Sequence, residues 1–146
     1  MLVEELVTLS IARLVLCSRA HCLLRAAVFE RRAPVLGERR VLLDAGLQRT
    51  AAWVRANGDY VEWVRPDAGA ICCVRLRKPF FDDAAVARFY DAAAANGARV
   101  AKGEWFGEKA RVFRLGFGLL SMAELGDALG VLTAALKEAA TAAGRP

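Results

Sequence analysis

Histidine is almost absent from this 146-residue chain, and His21 is the single example. A lone histidine has no second imidazole to share a metal, and no carboxylate stands at a spacing that would orient it as a base. His21 therefore reads as an ordinary helix residue. Cysteine is sparse too, at Cys17, Cys22, Cys72 and Cys73, without the C-x2-C pairs of a zinc site. Cys72 and Cys73 are neighbours, so a strand would send them to opposite faces, where they cannot bridge each other. In apolar surroundings all four read as small hydrophobes. No catalytic or metal residue follows from these types.

Other absences are as informative. There is no G-x-S-x-G, no H-E-x-x-H, no G-x-x-x-x-G-K-[ST] and no G-x-G-x-x-G after a strand. Asp82-Asp83 is the one pair of adjacent carboxylates that could suggest acid–base work, and helix capping explains it better. No uncharged run reaches the ~20 residues of a membrane span. Glu4, Glu5, Arg13, Arg19 and Arg25 interrupt the apolar residues 1–29, and the acidic start is wrong for a signal peptide. The expected setting is cytoplasmic, with no membrane partner.

What is present is a globular composition: 56% hydrophobic and 25% charged residues, with net charge +5 from 21 Lys+Arg against 16 Asp+Glu. The arginines are spread along the chain without interleaved aromatics. They predict a solvated surface and no nucleic-acid partner.

The hydrophobic pattern predicts helix over residues 2–32, with a break near Cys17-Ser18 or burial on several sides. Pro34 is expected to open a loop. A second helix follows on Leu43, Leu47 and Val54 and stops at Asn57-Gly58. Residues 60–64 and 70–76 read as an antiparallel hairpin around Pro66-Asp67-Ala68-Gly69. Asp82 or Asp83 caps a helix that stops at Gly97. Residues 99–102 and 112–117 are strands around a loop at 103–109. Ser121 with Glu124 forms a capping box, and Leu125, Leu129, Leu132 and Leu136 form one stripe on the last helix. The predicted class is α+β: a small, mainly antiparallel sheet covered on one face by helices and preceded by an N-terminal helical segment.

Two features remain unexplained by packing. Trp105 and Phe106 lie between Gly103 and Gly107, which suits either a plug over a sheet edge or the rim of a pocket. Arg114 sits mid-strand in Phe113-Arg114-Leu115-Gly116-Phe117, on the face opposite Phe113 and Leu115. A guanidinium there calls for an anion, whether a structural carboxylate or a ligand, unless that face is open to water.

The ordered set Trp63-Val64-Arg65-Pro66-Asp67-Ala68-Gly69-Ala70, Val100-Ala101-Lys102-Gly103-Glu104-Trp105-Phe106-Gly107 and Phe113-Arg114-Leu115-Gly116-Phe117 resembles the C-terminal part of class I/II aminotransferases. These are pyridoxal-phosphate enzymes of fold type I. The similarity runs most clearly from about Leu36 to Ala140, and divides the chain into an N-terminal helical segment, residues 1–35, and a C-terminal small domain, residues 36–146. It implies that Arg114 binds the carboxylate of an amino acid or 2-oxo acid, with Trp105 and Phe106 near the substrate entrance. It also implies pyridoxal 5'-phosphate for the parent family. The lysine that carries that cofactor lies upstream in such enzymes, and Lys78, Lys102, Lys109 and Lys137 match no such position. The residues 7–24 are also more apolar than the family's equivalent stretch. The chain alone is thus expected to bind no cofactor and to be inactive, working with a large-domain partner chain or as a homodimer. The alternative is a non-catalytic α/β module that binds a small carboxylate or a protein.

Overall fold

The structure is a computed structural model and describes residues 19–142. Cys17, Ser18 and the expected helix before them lie outside the described residues. The elements, in order, are α1 (Arg19–Glu30), α2 (Arg32–Ala56), β1 (Val61–Trp63), β2 (Ile71–Leu76), α3 (Asp83–Ala95), β3 (Ala101–Lys102), a 3-10 helix (Gly103–Phe106), β4 (Val112–Gly116) and α4 (Met122–Thr141). Contacts divide the chain into two compact units, Met1–Arg40 and Val41–Pro146. No helix among the described residues is long and apolar enough to cross a membrane.

In the first unit, Pro34 does not open a loop. It sits in the first turn of α2, where its missing N–H would have had no intrahelical partner anyway. The break between helices falls at Arg31. Burial of this segment is not seen among the described residues: Leu23, Val28, Phe29 and Leu36 are all more than 60% exposed.

The second unit is built on a four-stranded sheet in the order β1-β2-β4-β3, with every pair antiparallel. Period-two alternation separates its faces. Cys72, Val74 and Leu76 of β2 and Phe113 and Leu115 of β4 are buried on one side. Helix α3 lays Val86, Phe89 and Tyr90 on that side, and the Phe89 and Phe113 rings lie 5.3 Å apart. Asp82 is the capping residue, accepting a hydrogen bond from the Ala85 amide at 2.8 Å.

Helix α4 begins with the expected capping box: Glu124 N–H donates to Ser121 Oγ, and Ser121 N–H donates to the Glu124 carboxylate. Its stripe of Leu125, Leu129, Leu132 and Leu136 is no more than 4% exposed. Each such leucine contributes about 1.5–3 kcal/mol on leaving water. The C-terminal part of α2 is tied to α4 by a polar knot. Trp53 Nε1 donates to Thr133 Oγ1 at 2.9 Å, and Asn57 Nδ2 donates to the Trp53 carbonyl at the same distance. Gly46 lets α2 approach the chain that follows β4, since a Cβ there would stand 2.6 Å from the Phe117 carbonyl oxygen. The opposite face of the sheet is the more exposed one among the described residues. It presents Ile71, Cys73 and Arg75 from β2 and Arg114 from β4, all exposed.

Candidate functional site

Arg114 occupies the middle of β4, one of the two inner strands of the sheet. Its register partners are Cys73 on β2 and Ala101 on β3. Side chains directly opposite one another in an antiparallel pair share a face. The guanidinium therefore rises from the open face between a thiol and a methyl group. No ion pair is formed by Arg114 among the described residues; the nearby pair is Arg75 with Glu62, at 3.6 Å. A structural salt bridge with a described residue is thus ruled out as its role. Being exposed, it also carries no uncompensated burial penalty.

Among the described residues its aromatic contact is Phe106, with the guanidinium carbon 5.6 Å from the ring centroid. An exposed cation–π contact of this kind is worth about 0.5–1 kcal/mol. Among the described residues the guanidinium makes no ion pair, which leaves its N–H donors for an external acceptor. The loop expected at 103–109 is in fact a 3-10 turn followed by a left-handed Gly107 at φ 82°. Glu108 N–H closes it by donating to the Gly103 carbonyl at 2.9 Å. Gly103 has no space for a side chain, because a Cβ would meet the Lys109 carbonyl and stand 2.7 Å from that of Val112. This lacing folds Phe106 back over β4. Trp105, one residue earlier, stands 73% exposed and is not brought to Arg114.

Behind the loop, Tyr90 donates its hydroxyl proton toward the carbonyls of Ala110 at 2.6 Å and Val112 at 3.1 Å. Burial, helped by the nearby Glu104 charge, pushes its phenol up to about 12. Tyr90 is thereby a neutral donor that anchors the chain leading into β4. Cys72, buried on the core face, is also pushed up to about 12, mainly by burial and then by Cys73. It is an inert thiol, whereas Cys73 is exposed beside Arg114. The expectation that the cysteines are all core hydrophobes is corrected for Cys73 and Cys22, which are both exposed.

A groove of about 610 Å3 runs past Arg114, between residues 96–100, the end of β4 and the first turns of α4. Leu115, Leu120 and Leu125 give it an apolar floor, and Glu124 stands at its rim. Hydrogen bonds from Ser121 hold the Glu124 carboxyl below its ordinary value. Arg114 and Phe106 are expected from the amino-acid order, whereas the exposed Cys73 beside Arg114 is not. The signal for it is the period-two pattern of β2, which becomes decisive only once the β2–β4 register is known.

Comparison with family models and with curated proteins finds no match. Among solved structures, LysN, the α-aminoadipate aminotransferase of Thermus thermophilus, aligns with a TM-score of 0.62 and 19% identity. The alignment covers 82% of this chain and 30% of LysN. Tyrosine aminotransferase from Leishmania infantum gives 0.57 and 21%, over 67% of this chain and 24% of that one. The multiple substrate aminotransferase of Thermococcus profundus gives 0.50 and 23%, over 66% and 25%. The fold is that of a small aminotransferase domain. The chain spans less than a third of the length of each of these three proteins.

The described lysines do not include a buried amine of the kind that a pyridoxal-phosphate Schiff base uses. A lysine that forms a Schiff base needs a desolvated amine. Lys78, Lys109 and Lys137 are exposed, and the Lys102 ammonium lies 4.8 Å from the centre of the Tyr90 ring. No group of three or more His, Cys, Asp or Glu among the described residues could hold a metal.

Proposed function

We propose that this chain is the carboxylate-recognition part of a pyridoxal-phosphate-dependent aminotransferase of class I/II, and that it is inactive alone. Its substrate is an amino acid or 2-oxo acid. The cofactor and its lysine come from elsewhere, a large-domain partner chain or a further segment. The observation that carries this reading is Arg114: an exposed guanidinium on the open sheet face, without a carboxylate partner among the described residues and 5.6 Å from the centre of the Phe106 ring. A planar fork of N–H donors matches a carboxylate in two parallel hydrogen bonds. The fold likeness to aminotransferases supports it, and one of those structures, LysN, carries N-(5'-phosphopyridoxyl)-L-leucine.

The test uses the carboxylate itself as the variable. L-Leucine titrated into the protein is expected to shift the NMR signals of Ala101, Phe106 and Arg114, while L-leucinamide, which lacks the carboxylate, shifts none of them. Arg114→Ala should weaken L-leucine binding about tenfold or more. Equal responses to the acid and the amide, or no response to either, would remove the assignment.

A second reading, a protein-binding module, is favoured by one feature. Leu23, Leu24, Val28, Phe29 and Leu36 of α1 and α2 are exposed together, an apolar set of the kind that marks an interface. Light scattering of the purified chain separates a homodimer from a monomer that awaits a partner.

A further inference from the structure

The chain's lysines and arginines are spread along the sequence, but two short basic runs meet in space. Arg75, Arg77 and Lys78 leave the end of β2, and Lys109 and Arg111 enter β4 beside them. The backbone joins the runs where Leu76 N–H donates to the Arg111 carbonyl at 2.8 Å, and Arg77 N–H fixes the first run to the chain before β1 by donating to the Tyr60 carbonyl at 2.9 Å. All five cations line one groove of about 500 Å3.

The charge in this groove is poorly compensated. It contains two carboxylates, Glu62 and Glu108, and Glu62 is engaged by Arg75. Arg77, Lys78, Lys109 and Arg111 form no ion pair among the described residues. Two guanidinium groups are nevertheless fixed in place by neutral acceptors. Arg77 donates to the Gly58 carbonyl at 2.7 Å, and Arg111 donates to those of Phe81 at 3.0 Å and Leu76 at 3.4 Å. Carbonyls orient a guanidinium without cancelling its charge, which is preorganisation at little further entropic cost on binding. The two lysines add mobile ammonium groups that can close on an anion.

We infer that this groove is a binding site for a multivalent phosphate anion, an oligophosphate chain, separate from the carboxylate site at Arg114. A single carboxylate would leave most of these charges unanswered. A phosphate chain presents several oxygens to two forks and two ammonium groups at once. No aromatic side chain lines the groove, so nothing in it would stack on a nucleobase. The chain of phosphates is the recognised element, whether it comes as free oligophosphate or as part of a nucleotide.

Inorganic tripolyphosphate is the probe, titrated calorimetrically into the full chain at about 50 mM NaCl, where screening is modest. Binding is expected, and the Lys78→Gln/Lys109→Gln double variant should weaken it about tenfold. Both lysines are exposed, so the variant keeps its fold, which circular dichroism verifies. Arg39→Gln/Arg40→Gln, which removes two charges outside the groove, should leave affinity unchanged within about twofold. ATP should bind within about threefold of tripolyphosphate, and monophosphate at least about tenfold more weakly. The inference is overturned by any of three results: no tripolyphosphate binding, equal affinity in the Lys78/Lys109 variant, or binding of ATP but not of tripolyphosphate. None of these outcomes bears on L-leucine binding at Arg114, so the two sites are tested separately.

Discussion

Cys73 and Arg114 are register partners across β2 and β4, side by side on the open face of the sheet. A thiol is thereby placed as a reporter next to the one guanidinium that the carboxylate reading depends on. Cys72, its chain neighbour, points into the core and cannot interfere.

A negatively charged aromatic disulfide should label Cys73 faster than a neutral reagent of similar size, because Arg114 attracts it. Arg114→Ala should bring the two rates within about twofold of each other, and Cys72 should stay unlabelled until the protein unfolds. Mass spectrometry of peptides covering the two cysteines reads both results. Saturating L-leucine should slow the labelling of Cys73 in the native protein and not in the variant.

Alkaline pH should destabilise the fold through two buried groups. Cys72 and Tyr90 have native values near 12, against ordinary values of 9.0 and 10.0. Between the ordinary and the native value the unfolded chain has lost its proton while the folded chain keeps it. Stability is therefore full below pH 9 and falls as pH rises toward 12. Urea midpoints measured across this window should decline, first through Cys72 and from pH 10 through Tyr90 as well. Tyr90→Phe should flatten the decline above pH 10, at a lower overall stability because two carbonyls lose their donor.

Gly103→Ala should cost about 1–3 kcal/mol, since its methyl group would collide with two carbonyl oxygens of the turn. The same change should move Phe106 off Arg114. The weakening of L-leucine binding is then expected to exceed what the lost stability accounts for at temperatures where the variant is still folded. Denaturant titration and calorimetry, run on the same sample, check both parts.

Thr133→Val tests the knot between α2 and α4. It keeps the shape of the side chain but leaves the Trp53 indole N–H without its acceptor. A loss of about 1–3 kcal/mol is expected, because a largely buried donor would be left unsatisfied. Trp53 fluorescence and urea unfolding report it, and a stability change near zero would show that water takes over the bond.

Features set by neighbours in the chain are legible from the amino-acid order alone. The Ser121–Glu124 box, the leucine stripe of α4 and the Asp82 cap need only a few consecutive residues. The order of elements and the α+β class follow from their periodicities. Pro34 is ambiguous because a proline suits a loop and a first helical turn with equal ease. The exposure of Leu23 and Phe29 is invisible because an apolar helix does not state what covers it. At the site, alternation puts Arg114 on the face away from Phe113. Its neighbours Cys73 and Ala101 depend on strand register, and Phe106 on a turn closed by Gly103. The basic groove is hidden for the same reason: residues 75–78 and 109–111 look unrelated until the sheet lays them side by side.

The sheet order carries a consequence for how the protein comes into being. β1 and β2 leave the ribosome as a hairpin, yet the strand that occupies the next place is β4, made only after α3 and β3. Until it arrives, β2 has one edge unpaired, Cys73 has no guanidinium beside it, and the two basic runs are strangers. Both proposed sites are therefore completed in the same late step, when β4 inserts between β2 and β3. A nascent chain stalled before that insertion exposes a sticky strand edge, so an agent that delays β4 would aggregate this protein before it could silence it.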